Sequence, residues 1–557
     1  MAYVKQPMKA PRLSGRTLEI AVSLMEGPLA GPLRRKTLSD MGIETMRRAT
    51  VDRPIAFGPR LPEGTDDGRA IDLDALARTS SSARGFRAES ISDFARAYRD
   101  GSSSPTDVAA RVLAHTKASE EHAPPLRVFI AQSNDDVMRQ AEASAARFKA
   151  GAPLSILDGV PVAIKDELDV AGYRTTVGTR YLGDATKDRD ATVVERLRAK
   201  GAVIIGKANM HEIGITPTGQ NPHHGACRNP VDPRTDAGGS SSGPAAAVAA
   251  GLCPLSIGAD GGGSIRIPAA FCGLVGLKAT WGRISEHGAF PLCWSVGHVG
   301  PLASSAVDCA VGYAAIAGRD PHDTPTMRQP SPVVDDLGGD DISGLRLGVY
   351  SAWLDDADAN VVQATRRTIA SLVSRGARVV EIDLPDLELL QLAHVLTIVS
   401  EMRGSILRHV DAHRKDMGLN VRMILSLAES ITSSDYVAAQ RIRTLFSDRF
   451  EALYRTIDVL VTPTTACTAP VIKDDAIPKG ESDIPQIDAI MRFVRPGNFI
   501  GYPAVSFPCG YDASGLPVGF QAMARPWEES LLLRLARIGE SLVERRPPMF
   551  HRRLLSA

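Results

Sequence analysis

The sequence predicts an α/β fold, and three observations carry that expectation. Short apolar runs alternate with amphipathic helical stretches from residue 160 to 205 and again from 345 to 382, the rhythm of strands joined through helices. The chain has 557 residues, 44% hydrophobic and 23% charged, which is enough apolar material for a sizeable core. No linker-like stretch follows residue 87, so the remainder reads as one large unit behind an N-terminal extension over residues 1–88.

The extension opens with an amphipathic helix. Leu18, Val22 and Met25 share one face, and Pro28 ends the pattern. That face is expected to pack on the rest of the protein; a peripheral contact with a membrane is the alternative. Lys5, Lys9, Arg12 and Arg16 precede the helix, but Glu19 and Glu26 argue against a signal-peptide core. The rest of residues 1–60 reads as proline-broken segments, and residues 60–87, rich in Gly, Ser and Asp, as a surface connection. Helices follow over 91–100, over 104–120 with Ser104 as N-cap and Pro105 at the first helical position, and over 134–149. Residues 160–164 form a strand candidate ending at Lys165, 191–200 a helix, and 202–205 a buried strand. The stretch 237–268 places a small-residue helix between two hydroxyl-bearing Gly/Ser turns. Residues 318–343, rich in Pro, Asp and Gly, read as a loop or insertion. Strands are expected over 345–350 and 377–382 around a helix at 360–375, and helices dominate from 386 to about 454. Strands over 458–462, 503–507 and 516–521 and a final helix over 530–544 complete the chain.

The 64 basic and 64 acidic residues cancel, so no electrostatic footprint of a nucleic-acid partner is present. Seven widely spread cysteines without a Cys-x-x-Cys pair make neither a disulfide framework nor a zinc ribbon. They read as reduced, mostly buried thiols of a cytoplasmic protein. No apolar run reaches the length of a spanning helix.

Four chemistries compete for the Gly/Ser-rich stretch and its surroundings. His211-Glu212 lacks a second histidine one helical turn on, and the adjacent His223 and His224 point to opposite sides of an extended chain, so no metal is expected at either place. Asp260-Gly-Gly-Gly-Ser264 lacks both the Lys-Ser/Thr ending of a P-loop and the Rossmann glycine spacing. Gly239-Ser-Ser-Ser-Gly243 fits G-x-S-x-G on Ser241, but residues 229–236 are not expected to form the strand that a nucleophile elbow needs. There remains a serine hydrolase without histidine. A serine hydroxyl needs a base, and lysine serves when desolvation leaves it neutral. Lys165, at the end of an apolar strand, is placed for partial burial.

Three segments carry a resemblance. Gly159-Val-Pro-Val-Ala-Ile-Lys-Asp166, Gly238-Gly-Ser-Ser-Ser-Gly243 and Asp260-Gly-Gly-Gly-Ser-Ile-Arg-Ile-Pro268, in this order and at these separations, resemble the amidase signature family. Gly206-Lys-Ala-Asn-Met-His-Glu212 and Leu516-Pro-Val-Gly519 are similar to further segments of that family. Within it the likeness is to the fatty acid amide hydrolase branch of plants. It includes Met8-Lys-Ala-Pro11, Ser434-Asp-Tyr-Val-Ala-Ala-Gln440 and Met491-Arg-Phe-Val494.

The resemblance implies the amidase signature fold, a mixed central sheet covered by helices on both faces. It implies a domain over residues 89–557 with its catalytic core at about 150–310. It assigns Ser264 as acyl-accepting nucleophile, Ser240 as proton relay behind a cis peptide, and Lys165 as base and then acid. The backbone N–H groups of Gly261, Gly262, Gly263 and Ser264 would form the oxyanion hole; successive glycines leave such donors unobstructed. Ser241 and Ser242 then read as structural, Asp260 and Arg266 as a brace of the nucleophile turn or else a solvated surface pair. Asp166 faces away from Lys165 on a strand and reads as structural. The implied reaction is hydrolysis of an amide through an acyl-serine, on N-acylethanolamines or other hydrophobic N-acyl amides. It needs no metal or organic cofactor, and its partner is a small-molecule amide. The alternative is the glutaminase component of a tRNA-dependent amidotransferase, against which the N-terminal extension speaks. A homodimer is left open.

Overall fold

The computed structural model describes residues 3, 10–80, 83–477 and 479–556. Lys5, Met8 and Lys9 lie outside the described residues. Eleven strands form one mixed sheet: β1 Phe129–Ala131, β2 Pro161–Lys165, β3 Val203–Ala208, β4 Leu255–Ala259, β5 Val275–Lys278, β6 Val299–Ala303, β7 Arg346–Val349, β8 Arg378–Glu381, β9 Val459–Pro463, β10 Ala504–Tyr511 and β11 Pro517–Met523. Their order across the sheet is β8-β7-β9-β11-β10-β5-β6-β4-β2-β3-β1. Parallel pairing joins β2 to β3 and β4, and β7 to β8 and β9. Between these two parallel regions the pairing is antiparallel, through β6, β5, β10 and β11.

Helices flank this sheet, so β2, β4, β5, β6 and β9 are buried at every residue. Burial on both faces is why these strands read as short continuous apolar runs with no polar alternation. The sequence-predicted helices form as their end signals dictate. Ser90 caps Ile91–Asp100, Ser104 caps Pro105–Glu121 with proline at the first position, and Ser133 caps Asn134–Lys149, each accepting from a backbone N–H.

A second core lies beside the sheet. Helix Gly15–Glu26 buries Leu18, Val22 and Met25 against the same cluster as the long helices Leu387–His413 and Ser433–Leu453 and the shorter Leu419–Ala428. Full burial of such side chains contributes about 1.5–3 kcal/mol each, enough to order a helix too short to stand alone. The extension is thus fastened by its apolar stripe, while Ile20 and Leu24 on the other side are 54% and 58% exposed. Among the described residues no helix is long and apolar enough to cross a membrane.

The structure departs from the sequence reading at several places, among them β1, β4, β5, β6 and the helix Ala306–Ile316, none of which was expected. The proline-broken part of the extension contains two further helices, Ala30–Asp40 and Ile43–Arg48, because Pro32 sits in a first turn where its missing N–H costs nothing. The surface connection carries a short helix, Leu73–Ala77, capped by Asp72. The final helix stops at Glu540, and Glu544–Arg545 instead pairs with Arg84–Gly85. Residues Asp232–Asp236 do form a strand, contrary to expectation, in a small antiparallel ladder with Arg228–Asn229. That ladder lies outside the central sheet, so it still does not supply the sheet strand of a nucleophile elbow.

Candidate active site

Parallel pairing of β2 with β4, with Ile164 opposite Ile257, brings Lys165 and the residues after Ala259 to the same edge of the sheet. Lys165 is 1% exposed. Its Nζ donates to Ser240 Oγ at 2.9 Å and to the Ala259 carbonyl at 3.3 Å, and lies 2.7 Å from a Glu167 carboxylate oxygen. Glu167, two residues on from Lys165, was not singled out from the sequence. The chain turns at Asp166–Glu167 just after the strand ends, and that turn, not strand alternation, brings Glu167 back to Lys165. Asp166 points the other way, accepting from the Thr176 and Gly178 N–H groups and pairing with buried Lys207 at 3.1 Å.

The two Gly/Ser turns interlock. The peptide between Gly239 and Ser240 is cis. The Ser241 N–H donates to the Ser264 carbonyl at 3.2 Å, and Ser241 Oγ donates to the Ala259 carbonyl at 3.1 Å. Ser242 Oγ donates to the Asn209 carbonyl at 3.4 Å. Ser241 and Ser242 are therefore occupied in holding the loop, as the sequence suggested. At Gly243 a Cβ would stand 2.3 Å from the Asn209 backbone nitrogen, so only glycine lets the helix Ser242–Ala249 start this close to its neighbour.

Asp260 and Arg266 form a brace and not a surface pair. Both are wholly buried, and Arg266 Nε and a terminal nitrogen each stand 3.0 Å from a carboxylate oxygen of Asp260. Asn498 Nδ2 donates to the same carboxylate at 2.9 Å and to the Asp260 carbonyl at 2.7 Å. Burial opposes ionisation of Asp260, but Arg266, these hydrogen bonds and nearby Lys278 hold its carboxyl far below the usual range. Asn498 comes from a segment more than two hundred residues away, so no local pattern in the sequence could have linked it to the turn.

The braced turn leads into Ser264. Gly263 has φ of 111°, and a Cβ there would meet Val494 at 2.5 Å, which requires glycine. Its N–H donates to Asp260 Oδ1 at 2.6 Å. The N–H groups of Gly261, Gly262 and Ser264 meet no protein acceptor among the described residues. Of the four donors implied from the sequence, Gly263 is thus occupied within the turn and the other three are free.

Ser264 stands where two cavities meet. One, of about 170 Å³, is lined by apolar side chains including Ile398, Met402, Met423, Leu427 and Met491, and reaches Leu38 and Ile43 of the N-terminal helices. The other, of about 40 Å³, holds Lys165, Ser240 and Glu167. Glu286 lines it too; desolvation and nearby Asp323, Glu167 and Glu401 push its carboxyl well up.

A buried lysine–serine pair under a glycine turn, on a mixed sheet flanked by helices, is the framework of an amide hydrolase, an enzyme acting on amide C–N bonds. The profile of the family described as Amidase matches residues 110–533, and the chain belongs to this amidase signature family. It is 38% identical to the fatty acid amide hydrolase of Arabidopsis thaliana, over 99% of this chain and 96% of that protein. It is 37% identical to a glutamyl-tRNA(Gln) amidotransferase component of Symbiobacterium thermophilum, over 79% of this chain and 94% of that protein. The native peptide amidase from Stenotrophomonas maltophilia superposes with a TM-score of 0.72 at 28% identity, over 83% of this chain and 98% of that one.

Proposed function

We propose that this amide hydrolase cleaves amides with long hydrophobic acyl groups, N-acylethanolamines or related fatty amides, through a Ser264–Ser240–Lys165 triad. The observation that carries the substrate class is the apolar cavity opening on Ser264. Its far lining includes residues of the N-terminal extension, the part of the chain that the plant hydrolase shares and that lies ahead of the Amidase match.

In this reading Ser264 Oγ attacks the amide carbonyl, and its proton passes to Ser240 while Ser240 gives its own to Lys165 acting as the base. The oxyanion faces the N–H groups of Gly261, Gly262 and Ser264, which are rigid donors aimed where charge develops. Collapse breaks the C–N bond, and the amine leaves with the proton returned through Ser240. Because that proton comes from the lysine side, the amine sits towards the smaller cavity and the acyl chain fills the larger one. Water then attacks the acyl-serine by the same relay and releases the acid. The amidotransferase reading is disfavoured by the shorter length shared with the Symbiobacterium protein, 79% of the chain against 99%.

The test is a panel of amides with one amine and acyl groups from acetyl to palmitoyl, run on wild type and Ala428→Phe. Ala428 is 5% exposed and lines the larger cavity on the helix that packs against Ala30–Asp40. Wild type is expected to prefer the long chains. The variant is expected to lose about tenfold or more on them, the effect of about two buried methylenes at ~0.8 kcal/mol each, and little on acetyl. A wild-type profile peaking at acetyl contradicts the substrate class.

A further inference from the structure

His394 sits in helix Leu387–His413 with none of its surface exposed. Its Nε2 lies 2.9 Å from the carbonyl oxygen of Gly261. A carbonyl only accepts, so Nε2 carries the proton and Nδ1 is the bare nitrogen. That Nδ1 is buried and has no hydrogen-bond partner among the described residues. Burial pushes the imidazole down to about 3, so the ring is neutral at any working pH. An apolar ring of the same size would fill this space without an orphaned acceptor, so packing alone does not explain a histidine here.

Gly261 O and Gly262 N belong to one peptide unit, and across a trans peptide the C=O and N–H point in opposite directions. A donor on the carbonyl therefore fixes where the Gly262 N–H points, and by polarising the amide makes it a stronger donor. That N–H is one of the free donors of the nucleophile turn, and Gly262 lines the cavity beside Ser264. A Cβ at Gly262 would stand 3.0 Å from His394 Cε1, so the ring packs directly against the Gly262 Cα.

We infer that His394 is a positioning residue for the oxyanion hole: it holds the Gly261 carbonyl so that the Gly262 N–H is aimed at the anion formed when Ser264 adds to the amide. This rests on Ser264 being the nucleophile. His394→Phe keeps a ring and removes the donor; His394→Gln returns an N–H at similar reach. The readouts are kcat, KM and inhibition by a trifluoromethyl ketone, which adds to a serine as a tetrahedral anion. His394→Phe is expected to lower kcat about 10–100-fold with KM within about twofold, and to weaken the ketone by a matching factor, because only the transition state uses the donor. His394→Gln is expected to recover most of both losses. Should the phenyl ring prevent folding, His394→Met makes the same comparison. The inference is overturned if a folded donor-less variant keeps its kcat, if its ketone affinity is unchanged, or if His394→Gln is as slow. Fluorophosphonate labelling of wild-type Ser264 tells such a failure apart from failure of the nucleophile assignment.

Discussion

Replacing Arg266 with methionine removes the cation that makes an ionised Asp260 tolerable inside the protein. Arg266 bonds both carboxylate oxygens at 3.0 Å and also donates to the Val494 carbonyl and to Gln521 Oε1, at 3.0 and 2.7 Å. Deleting one partner of a buried ion pair costs roughly 3–5 kcal/mol, because the other charge is left uncompensated. Asp260 keeps the Gly263 N–H and Asn498 as donors, which places the expected loss near the lower end, about 3 kcal/mol at pH 7. The sign of the pH dependence follows from the depressed carboxyl. In wild type, Asp260 contributes stability above its unfolded value, about 3.9, and loses it only as pH falls through its far lower folded value. Without Arg266, burial dominates and the folded protein takes up a proton at Asp260 more readily. The gap between variant and wild type therefore narrows as pH falls from about 7 to about 5. Urea unfolding at the two pH values measures the gap, and kcat reports whether the turn carrying Ser264 has loosened. A gap under about 1 kcal/mol with unchanged kcat would refute the brace, and a gap independent of pH would refute its electrostatic origin.

Two further outcomes are expected. Asp236, just before the Gly238–Ser240 turn, is pushed up to about 7 by burial, although the Gly219 and Gly238 N–H groups donate to it. A raised carboxyl is favourable while protonated and loses its contribution as pH rises from about 4 to its folded value. Asp236→Asn should therefore gain on wild type by up to about 4 kcal/mol between pH 4 and 8 in urea titrations; a constant difference would contradict it. Ser240→Ala should lower kcat by about 10²–10⁴, as expected for a lost proton relay, while Ser241→Ala should mainly lower the melting temperature. The reverse pattern would reassign the relay.

Much of the site was legible because its parts are local. The strand ending at Lys165, the paired Gly/Ser turns and the helix between them each carry their own signature, and β2 and β9 lie where apolar runs placed them, whereas β4, between the two turns, was not expected. The nucleophile turn could be read as glycine-rich, but not that Asp260 would take the Gly263 N–H for itself. Asn498, His394 and Gln521 reach the turn from elements far along the chain, and only the folded sheet and the long helices bring them there. The strand at Asp232–Asp236 was missed because its pairing partner, Arg228–Asn229, is short and polar, and prolines at 230 and 233 read as breaks. The same weighting of proline hid the helix Ala30–Asp40, where position in the first turn overrides residue type.

The central claim is that Ser264 carries the acyl group. Incubating the enzyme with a fluorophosphonate, digesting it and locating the adduct by mass spectrometry tests this directly, with Ser264→Ala as control. The account predicts one modified serine, Ser264, loss of amide hydrolysis in step with labelling, and neither labelling nor turnover in Ser264→Ala. An adduct on Ser240 or Ser241, or hydrolysis retained by folded Ser264→Ala, would contradict it.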